Sequence, residues 1–119
     1  MKTRIFDLED RLVNFAVSIL KLSQSLPKDF AGNHTGNQLV RSGISPALNY
    51  GEAQAAESSK DFIHKMKICL KELRETQVCL KIILQCKYFD DAEVLPKLNE
   101  CGELFAIFTS SIKTAQKNA

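Results

Sequence analysis

The stretch FIHKMKICLKELRETQVCLKII, residues 62–83, carries an apolar or small side chain at Phe62, Met66, Cys69, Leu73, Thr76, Leu80 and Ile83. Steps of four and three place all seven on one face of an α-helix, whereas a strand would alternate every second residue. The same stepping links Ile5, Leu8, Leu12, Phe15, Ile19, Leu22 and Leu26 before it. It returns after it in Val94, Leu98, Cys101, Phe105, Phe108, Ile112 and Ala115. Seams of this kind pack helices side by side at shallow angles. They predict an all-α fold, an up-and-down four-helix bundle, in one domain over residues 1–119. The expected helices cover about 5–26, 36–58, 59–88 and 91–116.

Local chemistry places the ends. Pro27 stops the first helix, because a ring there removes a hydrogen bond and crowds the preceding turn. PKDFAGNHTGN, with two Gly and two Asn, is expected as a connector. Thr35 with Gln38 fits a capping box opening the second helix, and Ser58 with Asp61 fits one for the third. Asp90 or Asp91 starts the fourth, with Pro96 either bending that helix or standing at its first position.

The second helix differs from its partners because its seam is written in small residues: Gly43, Ala47, Gly51, Ala53, Ala55 and Ala56. Each Gly costs about 1 kcal/mol against Ala in a helix interior, and close approach of two backbones is the expected compensation. Pro46 deprives the Ser42 carbonyl of its usual donor, so a kink is expected, with the Ser42 or Ser45 hydroxyls serving the freed groups. Arg41, Ser45, Leu48 and Glu52 share a face, with Asn49 beside them. A second line on the third helix runs Lys65, Ile68, Glu72, Glu75, Cys79, Ile82 and Cys86. Carboxylates inside such a line need partners. Arg41, Asn49, Glu52, Lys65, Glu72 and Glu75 are therefore expected to form one structural polar network that sets register rather than adding stability.

Composition supports a helical, water-facing chain: 45% hydrophobic, 25% charged, formal net charge +2. The opening MKTRIFDLEDR lacks an uninterrupted apolar stretch and is taken as the start of the fold. No apolar run approaches the roughly 18 residues of a membrane span, so a cytoplasmic location is expected. Cys69, Cys79, Cys86 and Cys101 form no C-x-x-C pair, and the histidines, His34 and His64, lie far from ligand spacing. Reduced thiols acting as small hydrophobes are expected. A di-metal carboxylate bundle needs two Glu-x-x-His motifs, and the nearest approach is Asp61-x-x-His64. No nucleophile, oxyanion pocket or phosphate loop accompanies the carboxylates. No catalytic, metal or cofactor site is expected, and an enzyme using metal or a carboxylate pair is the remote alternative.

Lys60, His64, Lys67, Lys71, Arg74 and Lys81 step along the third helix opposite its core seam, over about 32 Å. Residues 60–87 hold seven Lys or Arg against three acids, a net +4. The ordinary account is a solvated face. The functional alternative is a surface for RNA or DNA phosphates, with salt-dependent and sequence-tolerant binding. Aromatic interleaving for base stacking is absent from the stripe.

One longer stretch, QLVRSGISPALNYGEAQAAESSKDFIHKMKICLKELRETQVCL, resembles the bacterial four-helix-bundle family named for proteins encoded in 23S ribosomal RNA intervening sequences. That family shows Q-L-x-R-S, N-x-x-E-A, S-x-x-D-F-x-x-K and K-E-x-x-E-T. These fall on Gln38, Leu39, Arg41 and Ser42; on Asn49, Glu52 and Ala53; on Ser58, Asp61, Phe62 and Lys65; and on Lys71, Glu72, Glu75 and Thr76. The opening and closing segments also resemble it. Many relatives carry Trp after the last motif, where this chain has QVCL. The resemblance implies a ring-like homopentamer without established enzymatic activity. One relative is an accessory protein in retroelement mutagenesis, which engages nucleic acid and a reverse transcriptase. The resulting expectation is a non-enzymatic oligomeric interaction or accessory protein, whose partners are its own copies, RNA or DNA, or another protein.

Overall fold

Asp7, in extended backbone, accepts a hydrogen bond from the Asp10 amide and opens the first helix of the computed structural model, which describes residues 7–119. This helix, α1, spans Leu8–Gln24. The expected start at Ile5 lies outside the described residues. α2 spans Phe30–Gln54, α3 spans Ser59–Cys86 and α4 spans Asp91–Asn118. Neighbours in the bundle are α1 with α2, α2 with α3, α3 with α4 and, over a thinner seam, α1 with α4. α1 and α3 stand across the diagonal.

The seams pack as their spacing demands. Leu12, Ile19, Leu73, Leu80, Ile83 and Phe108 are all buried in one core shared by the four helices. Each fully buried apolar side chain contributes about 1.5–3 kcal/mol against exposure. On α4, Leu98 and Phe105 are half-buried, while Leu104 is fully buried although it lay outside the expected seam. Phe108 meets the Tyr50 ring edge-on, centroids 5.9 Å apart, tying α4 to α2 through the middle of the core.

The start of α2 corrects the sequence expectation. Thr35 and Gln38 do not cap a helix at residue 36; both lie inside one that begins six residues earlier. Asp29 is the cap, accepting from the Gly32 amide at 2.8 Å. Residues 30–36 are helical because Gly32 and Gly36 serve contact rather than a turn. A β-carbon on Gly32 would stand 1.9 Å from the Pro27 carbonyl oxygen, and one on Gly36 would stand 3.6 Å from a Leu26 methyl. Gly43 does the same against Ile19, where a β-carbon would meet Cγ2 at 2.6 Å. Gly51, also expected at a close approach, has open space around it. The helix ends at Gln54, four residues before the expected end.

The remaining ends follow local chemistry. Ser58 caps α3, its hydroxyl accepting from the Asp61 amide at 3.0 Å. Lys87, at φ 58°, terminates it in the left-handed region. α4 begins at Asp91, so Pro96 lies inside it rather than at its first position. α2 likewise continues through Pro46. Neither serine hydroxyl serves the carbonyl freed by Pro46: the Ser42 Oγ turns back to the Leu39 carbonyl, and Ser45 is engaged by Asn49. Every buried side-chain nitrogen and oxygen among the described residues has a partner.

Candidate functional site

The anticipated single polar network is two separate clusters. Arg41 of α2 reaches across to α3, donating to Glu72 at 3.0 Å and to Glu75, with Gln38 alongside at 3.4 Å. Glu72 is buried, whereas Arg41 is exposed, so the guanidinium covers the carboxylate from the rim. Hydrogen bonds from Arg41 to Glu75, then to Glu72, push its pKa up and keep it charged. Lys65 pairs with Glu52 at 2.6 Å nearer the other end of the same seam. Asn49 joins neither cluster. Its side-chain amide bonds back one turn to the Ser45 carbonyl and hydroxyl, at 3.0 and 2.9 Å. The expectation of one continuous network fails because Asn49 satisfies itself within its own helix.

Beside the Arg41 cluster, and between it and the Lys65 pair, uncharged groups join α2 to α3. The Ser42 and Thr76 hydroxyls lie 2.8 Å apart, and the Thr76 hydroxyl donates to the Glu72 carbonyl at 2.9 Å. On the same seam the Cys69 thiol donates to the Pro46 carbonyl, and on the α3–α4 seam the Cys101 thiol donates to that of Leu73. Burial pushes both thiols up to about 12, so they stay protonated at neutral pH.

A third ionic cluster has no precursor in the sequence reading. Arg11 of α1 clasps Glu100 of α4 with two bonds, at 2.6 and 2.8 Å, and donates to Glu103 at 2.6 Å. This bidentate fork is the polar strap across the thin α1–α4 seam.

The basic stripe is fully displayed. Lys60, His64, Lys67, Lys71, Arg74 and Lys81 are all exposed. None forms an ion pair with a carboxylate among the described residues, and Arg74 only donates to Gln77 at 2.7 Å. Glu72 and Glu75, on the same helix, turn to Arg41.

Further along the same ridge the character changes from charged to apolar. Val78 is 44% exposed and Ile82 54%. They border a groove of about 330 Å³ whose other walls are His34, Thr35, Gln38, Glu75 and Cys79. Phe30, 87% exposed, stacks on His34 at this end of the bundle. α1 carries a second outward apolar pair, Val13 and Val17, 44% and 42% exposed. No three His, Cys, Asp or Glu residues cluster closely enough to hold a metal ion among the described residues. The surface offers a charged ridge and apolar patches.

A model of the 23S rRNA-intervening sequence protein family matches residues 7–110, from the cap of α1 to within the last turns of α4. The chain belongs to this family. A crystal structure from Bacteroides thetaiotaomicron, of a protein with unknown function from the S23 ribosomal protein family, superposes with a TM-score of 0.83. It is 33% identical, and the match covers 90% of this chain and 99% of that one. No curated protein matches the chain with significance. The match to the intervening-sequence family thus covers α1, α2 and α3, most of α4 and both clusters of the α2–α3 seam. Among the described residues, no helix is long and apolar enough to cross a membrane.

Proposed function

We propose that this protein is a non-enzymatic helical-bundle interaction module that works as an assembly of its own copies. The observation that carries this reading is the outward apolar face of α3, Val78 and Ile82 beside their groove, on a bundle whose core is already closed. A helix with a second apolar edge has one edge to offer a neighbour. Light scattering coupled to gel filtration, over a range of concentrations, should give a mass that is a multiple of 13.3 kDa. Replacing Val78 by Asn and Ile82 by Gln, both exposed, should return it to the monomer mass without lowering the melting temperature. A wild-type chain that stays monomeric at every concentration overturns the reading.

A second reading is favoured by the five exposed Lys and Arg, with His64 among them, that pair with no carboxylate among the described residues: the ridge Lys60–Lys81 binds RNA or DNA phosphates. Replacing Lys67, Lys71 and Arg74 by Glu should abolish retention of a duplex at about 50 mM salt, where phosphate contacts are strong. Absence of retention by the unaltered protein under those conditions removes this reading and leaves the first intact.

A further inference from the structure

The aromatic ring that the basic ridge lacks is supplied by another helix. Phe30, the first residue of α2, is 87% exposed, and its ring stacks on His34 one turn on, centroids 6.2 Å apart and planes 17° from parallel. One face of the phenyl ring is backed by imidazole and the other is bare. The ring forgoes the roughly 150–250 Å² that an aromatic side chain buries in a core. Its place in the fold puts it at the far end of the ridge. His34 walls a groove with Val78 and Ile82 of α3, and these two wall the next groove with Lys81 and Gln85. The start of α2 therefore lies beside the last turns of α3, where Ile82 stands about 12 Å beyond Arg74 by helix rise. Phe30 is one turn past His34 and is not a wall of either groove. A neighbour seated on Val78 and Ile82 thus leaves the bare face of the ring open.

We propose that the ridge takes a single strand of RNA or DNA and that an unpaired base at its end stacks on Phe30. This rests on the second reading above and names its ligand class. A single-strand site needs a cationic track for the backbone and an aromatic face for a base. Lys60, Lys67, Lys71, Arg74 and Lys81 form the track, all exposed, and Phe30 is the face. A duplex would use the track alone, because its bases are already stacked on one another. An apolar protein segment would be held by the Val78–Ile82 groove, which Phe30 does not line, and would gain nothing from the cations. Every base has a π-face, so the ring selects strandedness rather than sequence. The stack was not legible along α3, since the ring and the track come from different helices.

Fluorescence anisotropy tests this with a labelled oligonucleotide of about 12 nucleotides, offered as a single strand or as a blunt duplex, at about 50 mM salt. Phe30→Ala should weaken binding of the single strand about tenfold and leave the duplex unchanged. Phe30→Trp should keep the wild-type affinity for both. The salt dependence separates the two parts of the site. Phe30→Ala should leave the slope of log affinity against log salt as it is, whereas Lys71→Ala should make it shallower by about 0.7. Because Phe30 is exposed, Phe30→Ala should melt with the wild type and show the same mass by light scattering. If single strand and duplex are both retained and Phe30→Ala alters neither, or weakens both alike, the inference fails and the ridge reading stands. If the unaltered protein retains neither, the ridge reading fails and takes this inference with it. If Phe30→Ala changes the mass and not the binding, the ring belongs to a protein contact and the inference is overturned.

Discussion

Replacing Phe108 by Ala should lower the unfolding free energy by about 3–5 kcal/mol, the range for deleting a fully buried aromatic ring. Phe108 is 0% exposed and the largest of the fully buried side chains. Its edge-on contact with Tyr50 crosses the bundle from α4 to α2, so the deletion leaves a void bounded by two helices that are not neighbours. Such a void collapses poorly, because closing it requires moving elements that other seams hold in place. Against a total stability of about 5–15 kcal/mol for a single domain, the loss is severe. Urea unfolding in the Val78→Asn, Ile82→Gln background, which separates folding from assembly, should show a lower midpoint at an unchanged slope. A loss below about 1.5 kcal/mol would mean that the ring is not the centre of the core.

Gly32→Ala is the second large effect, and its sign is diagnostic. In a solvent-exposed helix interior, Gly to Ala gains roughly 0.5–1 kcal/mol. At Gly32 the added methyl would stand 1.9 Å from the Pro27 carbonyl oxygen and 2.8 Å from its carbon. These are backbone atoms and cannot rotate away, so the α1–α2 turn must open, at a net cost of about 2 kcal/mol or more. Gly51→Ala, with no atom within 4 Å of the new carbon, should give the ordinary gain. Opposite signs for the two substitutions in chemical denaturation would establish the close approach at the start of α2. A stabilising Gly32→Ala would instead mean that residues 30–35 form a connector.

The same glycine explains which part of the fold was legible in advance. The seams of α1, α3 and most of α4 are written in Leu, Ile, Phe and Cys, and their period is plain. α2 carries an equally regular inner seam, Gly32, Gly36, Leu39, Gly43, Pro46, Tyr50 and Ala53. Its first members are glycines flanked by Asn, which locally signal a turn. Only the tertiary contact with Pro27 and Leu26 shows that they are seam positions. The polar residues were legible as a group because Glu72 sits in an apolar line, and Arg41 was the available cation. Their division into two clusters was not, since nothing local reveals that Asn49 bonds within its own helix. Arg11 with Glu100 and Glu103 lay beyond reach for a different reason. The partners are 89 and 92 residues apart, and an Arg in a first helix has no local mark of a strap.

That strap governs how the molecule breathes. α1 leans on α2 along its length but meets α4 thinly, fastened by one guanidinium. Local opening follows the weakest seam, so the first helix to swing away exposes amides of α1 while α2, α3 and α4 remain docked. The hinge is the tight crossing of Leu26 and Pro27 over Gly32, which keeps the departing helix tethered for rapid return.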